Sequence, residues 1–381
     1  MNKIKKKIIR VKLRLFRIFQ RLFLGKLIGH NASNIIRSIE ESSYKPSIKN
    51  ILVESKELIP PMILSYNFPS KYPLFFRRNK SFEKRNVYRL QNVYSSSDSG
   101  VIWTKDNLIL QESVGSVNRI INWGGLLCDI ALKPKYILND CLYTVFPTGG
   151  GYYHWLIESV PNLLYTINTF TDVKVIVKKY APVYMIDTLK ILFPNDFNKR
   201  VVFLDGNLHA NSLCFTQFHA YSGFVCNEDI DIITNTLKDK FLNTISDRKQ
   251  CNKRIYISRS KSSKRRLANE LELEEILKKF DFNIIFAEEL SLSEQVILFS
   301  NANFLIAPHG AGLANLIWAH SSFKVMEIFP ANIFNDCYAR LAVQMGFEYR
   351  YLVCSNDDSS YGKIDIDLVV KMIKELDKEF K

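Results

Sequence analysis

The chain has 381 residues, of which 47% are hydrophobic and 13% aromatic, enough for two packed domains and incompatible with an intrinsically disordered chain. Its formal charge of +14 is concentrated at one end: Lys3, Lys5, Lys6, Lys7, Arg10, Lys12, Arg14, Arg17, Arg21 and Lys26 supply ten positive charges, and the first acidic residue is Glu40. That distribution excludes a basic, nucleic-acid-binding body, so no nucleic acid partner is expected.

Between those charges stand Ile4, Ile8, Val11, Leu15, Phe16, Ile18, Phe19, Leu22 and Phe23. Several fall at helical spacing, which predicts a basic amphipathic helix within residues 1–30. Such a helix lies on an anionic membrane surface, here through residues 1–26. The charges interrupt it well short of the ~20 apolar residues that a span needs, and they leave no uncharged secretory core. The seven cysteines (Cys128, Cys141, Cys214, Cys226, Cys251, Cys337 and Cys354) form no Cys-x-x-Cys pair and read as reduced thiols. The expected location is the cytoplasmic face of a membrane, with peripheral attachment.

Residues 31–248 read as an N-terminal α/β domain. Pro60, Pro61, Pro69 and Pro73 break any long element early in it. Residues 87–113 change to short β-like runs, with a hairpin turning at Lys105-Asp106-Asn107. Strand and helix patterns then alternate over residues 136–218: YILNDCLYTVF, a glycine turn, HWLIESVPNLLYTI, VKVIVKK, a helix over residues 185–192, RVVFLDG and LCFTQF. One helix is predicted over residues 228–245, followed by a polar linker.

Residues 249–381 read as a second, Rossmann-like unit. Strands are predicted at 254–258, 283–287, 304–307, 325–328 and 349–353, with helices between them and Ser291-Leu292-Ser293-Glu294 as a capping box. Five strands with helical crossovers predict a parallel sheet. A last helix, over residues 367–380, is placed to return across the cleft between the two units.

Two glycine turns carry the candidate chemistry. In the second unit, an apolar strand runs into Pro308-His309-Gly310-Ala311-Gly312 and a helical pattern starts at once. Glycines there let the backbone approach a ligand, and the new helix offers free N–H groups. Arg259, Lys264, Arg265 and Arg266 follow the first strand of the same sheet, so guanidinium charge and backbone N–H groups can converge on one diphosphate. Glu327, closing the next strand, is placed to accept hydrogen bonds from ribose hydroxyls. The spacing Gly310-x-Gly312-x-x-Asn315 lacks the third glycine of the dinucleotide fingerprint and sits on the wrong strand for it, which argues against a nicotinamide cofactor. In the first unit, Gly149-Gly150-Gly151 precedes His154 and Glu158, which are four apart and share a helical face. Either can take a proton from an attacking hydroxyl while the other orients it. The pairs Asp229/Asp231 and Asp365/Asp367 fall at helix starts and read as caps rather than metal ligands.

The stretches GGGYYHWLIESVPNLL, RIYISRSKSSKRRLANE, SLSEQVILFSNANFLIAPHGAGLANLIW and VMEIFP, in that order, resemble glycosyltransferase family 61 over residues 143–330. That family groups bacterial capsule and O-antigen enzymes with plant xylosyltransferases and animal N-acetylglucosaminyltransferases. The resemblance implies an α/β fold of GT-B type, two facing Rossmann-like domains with the acceptor on the first and the nucleotide on the second. It implies inverting transfer from a UDP-sugar, with no cofactor and no obligatory metal, to a surface-polysaccharide or lipid-linked glycan. The site it implies joins His154 and Glu158 as catalytic residues to donor-binding Arg259, Lys264, Arg265, Arg266, His309, Gly310, Ala311, Gly312, Asn315 and Glu327. A non-catalytic nucleotide- or sugar-binding protein, or another nucleotide-dependent enzyme, stays open at this level.

Overall fold

The computed structural model describes residues 36–37, 53–58, 85–114, 130, 133–146, 151–218, 222–244, 253–262, 266–330, 335–355 and 362–378. The predicted basic head helix, Gly149, Gly150, Lys264 and Arg265 lie outside the described residues. Within them the chain is a mixed α/β protein built on two sheets.

The first sheet contains β1 (Ile36–Arg37), β2 (Val53–Leu58), β3 (Arg85–Ser96), β4 (Ile102–Trp103), β5 (Ile109–Leu110), β6 (Tyr136–Leu138), β7 (Tyr143–Val145), β8 (Lys174–Lys178), β9 (Val201–Leu204) and β10 (Asn207–Thr216). Its order is β1-β5-β4-β3-β10-β7-β8-β9, with β2 beside β3 and β6 beside β10. The β10-β7-β8-β9 stretch is parallel, as expected of a Rossmann-like unit, and β6–β10 and the short β1–β5 pairing are parallel as well. The β2-β3-β4-β5 ribbon and the long β3–β10 pairing are antiparallel. The hairpin predicted at Lys105-Asp106-Asn107 is present. Thr104 N–H donates to Leu108 O at 2.9 Å, and Asn107 takes the left-handed φ of 60° that Asn tolerates in tight turns. The run YILNDCLYTVF divides into β6 and β7, both against β10, because Asn139-Asp140 interrupts it where the alternation breaks.

The second sheet contains β11 (Arg254–Ile257), β12 (Phe282–Ile285), β13 (Phe304–Pro308), β14 (Lys324–Phe329) and β15 (Glu348–Val353), in the order β12-β11-β13-β14-β15. Every pairing is parallel. β13 is buried at all its positions, as a central strand covered on both faces must be. The strand order reverses between β11 and β13, and open α/β sheets bind ligands at the carboxyl ends of strands flanking such a point.

One apolar core joins the two halves. Helices Val160–Thr169 and Asn227–Leu242 contribute Leu163, Ile233 and Phe241, and the second sheet contributes Ile255, Leu305 and Val325. Phe241 meets Trp318 edge-on at 6.0 Å across this core. A separate cluster covers the other face of the second sheet, where Val369, Ile373 and Leu376 of the helix Ile366–Lys378 pack on Tyr256, Phe304 and Met326. That helix therefore does not return across the cleft. Its apolar stripe matches the open face of its own sheet, and the Arg254–Asp377 ion pair, at 2.8 Å, fixes its end there.

Candidate functional site

The loop after β11 is held from below by carboxylates. Glu270 Oε1 accepts from the Arg259 backbone N–H at 2.6 Å and from Tyr256 OH at 3.0 Å, and Glu274 accepts from Ser258 Oγ at 2.6 Å. Burial raises the Glu270 pKa, and the hydrogen bonds it receives oppose that shift. With its backbone fixed, Arg259 lays its guanidinium against the loop after β13. A Cβ placed on Gly310 would come 2.4 Å from Arg259 Nη1. Gly310 has an extended φ of 177°, so glycine is required there for space and not for conformation. Gly312 is packed less tightly, with 3.2 Å from its virtual Cβ to Ile257 Cδ1. A helical segment, Ala311–Trp318, follows as a 3₁₀ helix.

Arg259, Ala311 and Gly312 open onto a cleft of about 530 Å³. The second half of the chain also lines it with Ile257, Leu290 and Leu292, while the first half supplies Tyr152, Tyr184 and Asp187. Burial raises the Asp187 carboxyl pKa. The cleft is of the size that holds small-molecule ligands, and it combines an apolar wall with a few convergent polar groups.

His309 stands at the end of the same turn but is nearly buried, at 4% exposure. Its Nδ1 lies 2.5 Å from Glu327 Oε1, and Tyr349 OH donates to Glu327 Oε2 at 2.5 Å. The His309 ring stacks on Phe329 and leans on Tyr338, both with centroids 5.2 Å away. Glu327 has no exposed surface, so the expectation that it faces ribose hydroxyls is corrected: its carboxylate orients His309 instead. Asn315 is likewise fully buried and is not among the residues lining the cleft. Its Oδ1 accepts from Tyr152 OH at 2.6 Å, and its Nδ2 donates to Gln295 Oε1 at 2.7 Å. Arg266 is exposed and is not among the residues lining the cleft.

On the opposite half, the chain leaves Gly151, at a left-handed φ of 84°, and enters a π-helical turn, His154–Ser159, before continuing as the helix Val160–Thr169. Such π turns inside helices gather at functional sites. His154 Nδ1 lies 2.7 Å from Glu158 Oε2, and Glu158 Oε1 accepts from Ser222 Oγ at 2.6 Å and from the Gly223 N–H at 3.0 Å. An ionised carboxylate only accepts, so Nδ1 carries the proton toward Glu158 and Nε2 is the basic edge of the ring. The side chain of His154 is 30% exposed and that of Glu158 is 10% exposed. Of the two, His154 can therefore reach a ligand, while Glu158 is engaged in orienting it.

The structure thus brings together Arg259, Gly310, Ala311 and Gly312 at one point and His154 with Glu158 at another. His309, Asn315 and Glu327 lie behind them. Sequence reasoning missed Tyr152, Ser222, Gly223, Gln295 and Tyr349. Their partners are distant along the chain, and the left-handed glycine after Ser222 (φ 95°) is the one local hint. Among the described residues no cluster of three or more His, Cys, Asp and Glu side chains forms a metal-binding group, and no helix is long and apolar enough to cross a membrane. Asp365 caps the last helix through Leu368 N–H at 3.1 Å, as expected. Asp229 is instead paired with Arg85.

No curated protein matches the chain. The family model described as Glycosyltransferase 61 matches residues 152–326, which runs from the Tyr152 turn through the Arg259 loop and the glycine turn into β14. Over those residues the chain is similar to glycosyltransferase family 61 and carries a domain of that kind.

Proposed function

We propose that this protein is an inverting glycosyltransferase that moves a sugar from a UDP-linked donor to a growing surface-polysaccharide or lipid-linked glycan of capsule or O-antigen type. The observation that carries the reading is the Arg259 guanidinium lying against Gly310 at the strand-order reversal, beside a cleft lined from both halves of the chain. That position suits a diphosphate: a fixed cation, backbone N–H groups at Ala311 and Gly312, and room for a nucleoside beyond. Two α/β bodies sharing one cleft support a GT-B arrangement, with residues 31–248 on the acceptor side and 249–381 on the donor side.

In this mechanism the acceptor hydroxyl gives its proton to His154 Nε2 as its oxygen attacks the anomeric carbon from the face opposite the diphosphate. The bond from that carbon to the phosphate oxygen breaks, the electron pair leaves with the diphosphate, and the configuration inverts. Glu158 holds the His154 tautomer and stabilises the imidazolium. A positioned base of this kind is worth about 10²–10⁴-fold. Arg259 and the turn amides meet the charge that develops on the leaving group, a contribution of about 10²–10³-fold per donor in comparable sites. No step calls for a metal ion, so chelation with EDTA is expected to leave turnover unchanged. Residues 1–26 hold the enzyme on the cytoplasmic face of an anionic membrane, where lipid-linked acceptors are displayed.

A thermal-shift panel of UDP, GDP, CMP and UDP-sugars tests the donor site. UDP at 100 times its dissociation constant should stabilise the protein by about 2.7 kcal/mol, and Arg259→Ala should remove the shift. Stabilisation by no nucleotide, or an unchanged UDP response in the Arg259 variant, would reject the assignment.

A further inference from the structure

Resting on that reading, we infer that Tyr152 and Gln295 are positioning residues that tie the proposed base His154 to the glycine turn of the donor site through the buried amide of Asn315. Tyr152 stands two residues before His154, next to Tyr153, the N-cap of the π turn. Its OH donates to Asn315 Oδ1 at 2.6 Å, although the two residues are 163 positions apart. Asn315 Nδ2 donates onward to Gly312 O at 3.1 Å and to Gln295 Oε1 at 2.7 Å. Gln295 Nε2 in turn donates to Ala287 O at 3.0 Å and to Leu290 O at 3.1 Å, on the loop after β12 that walls the cleft.

Every polar atom along this path has a partner, and Asn315 has no exposure to water. A buried network of that completeness has one low-energy arrangement, since shifting one member leaves another without its bond. Burial raises the Tyr152 pKa far above its ordinary value, so the phenol stays a donor throughout the working pH range. Tyr152 also packs edge-on against Tyr184, with centroids 5.1 Å apart, which limits where its ring can go. The consequence is geometric. Gly312 lines the cleft proposed for the diphosphate, while its carbonyl is bonded to the amide that holds the start of the His154 turn. The distance between the base and the leaving group is therefore set by hydrogen bonds across the cleft. The cleft wall after β12 belongs to the same bonded set. A base misplaced by about 1 Å can lose on the order of 10²-fold in rate, which is ample reason for such a link.

The test uses the full chain labelled at histidine 13Cε1, whose six histidines give a simple spectrum. The His154 signal is assigned by its loss in His154→Gln. On titration with UDP, the wild-type His154 signal should move. In Tyr152→Phe, UDP should bind within about threefold of wild type, which also shows that the variant folds, while the His154 displacement is lost. With the nucleotide-sugar that turns over, Tyr152→Phe and Gln295→Ala should lower kcat about 10- to 100-fold with the donor KM within about threefold. A His154 signal that moves equally in Tyr152→Phe, or a loss confined to donor KM, would overturn the inference while leaving the transferase reading intact. Absence of saturable UDP binding to the wild type would reject the donor site itself, and this inference with it.

Discussion

Gly310 has no side chain because Arg259 already fills the space where one would begin, with Nη1 at 2.4 Å from a virtual Cβ. The obstructing atom is the tip of a long, flexible side chain, so Gly310→Ala should fold normally and push the guanidinium off the turn. The expected result is a UDP dissociation constant raised about tenfold, roughly 1.4 kcal/mol, with an unchanged melting temperature of the unliganded protein. Calorimetric titration beside a melting curve checks both halves; a melting temperature that falls while affinity holds would mean that the glycine serves packing alone. Glu158→Gln separates orientation from charge in the same spirit. It keeps the shape but removes the carboxylate that accepts from His154, Ser222 and Gly223, and kcat should drop by at least about 10²-fold with UDP binding intact. The contact between His154 and Glu158 was legible in the sequence because helical spacing alone places residues four apart on one face. Glu327 and Asn315 were misread for the opposite reason. Their position beside a glycine turn suggested a ligand, but their actual partners come from β15 and from the first half of the chain, which local spacing cannot reveal.

At the scale of elements, the strands of the second sheet were readable as short runs rich in β-branched and aromatic residues between helical patterns, and the capping box at Ser291 formed as the pattern required. The π turn at His154–Ser159 was not, because its apolar positions fit an α-helix equally well. The Asp229-Ile230-Asp231 string was read as a cap, but Arg85 of β3 reaches Asp229 with both terminal nitrogens, at 2.6 and 2.9 Å. Both side chains are only 4% exposed, and the Arg85 guanidinium also lies 4.8 Å from the centre of the Tyr165 ring. This pair anchors the helix Asn227–Leu242 to the first sheet, and that helix carries Phe241 into the core shared with the second. Removing one partner of such a buried pair leaves a charge without compensation. Asp229→Ala should therefore cost about 3–5 kcal/mol in urea denaturation monitored by tryptophan fluorescence. A loss under about 1 kcal/mol, the range of surface pairs, would show that water reaches the site and that the anchor lies elsewhere.

For the whole molecule, the second sheet was visible in where strand and helix patterns restart after the polar linker, while the antiparallel ribbon of the first sheet was foreshadowed only by its hairpin. The cleft residues all come from Tyr152 onward, and the cationic excess lies within residues 1–26, so surface attachment and chemistry should be separable. Each Lys or Arg close to an anionic bilayer contributes about 1 kcal/mol, and that attraction fades beyond a Debye length of about 8 Å at physiological salt. The full chain should therefore sediment with phosphatidylserine-containing vesicles at low salt, less so as salt rises, and hardly with neutral ones. A chain lacking residues 1–26 should stay in the supernatant in every case, while its UDP affinity stays within about twofold of the full chain. Equal sedimentation of the two forms would assign membrane contact to another surface. Lost UDP affinity in the shortened chain would show instead that the basic head contributes to the donor cleft, because binding of a dianionic diphosphate is the one property that ten missing positive charges would otherwise change without touching the fold.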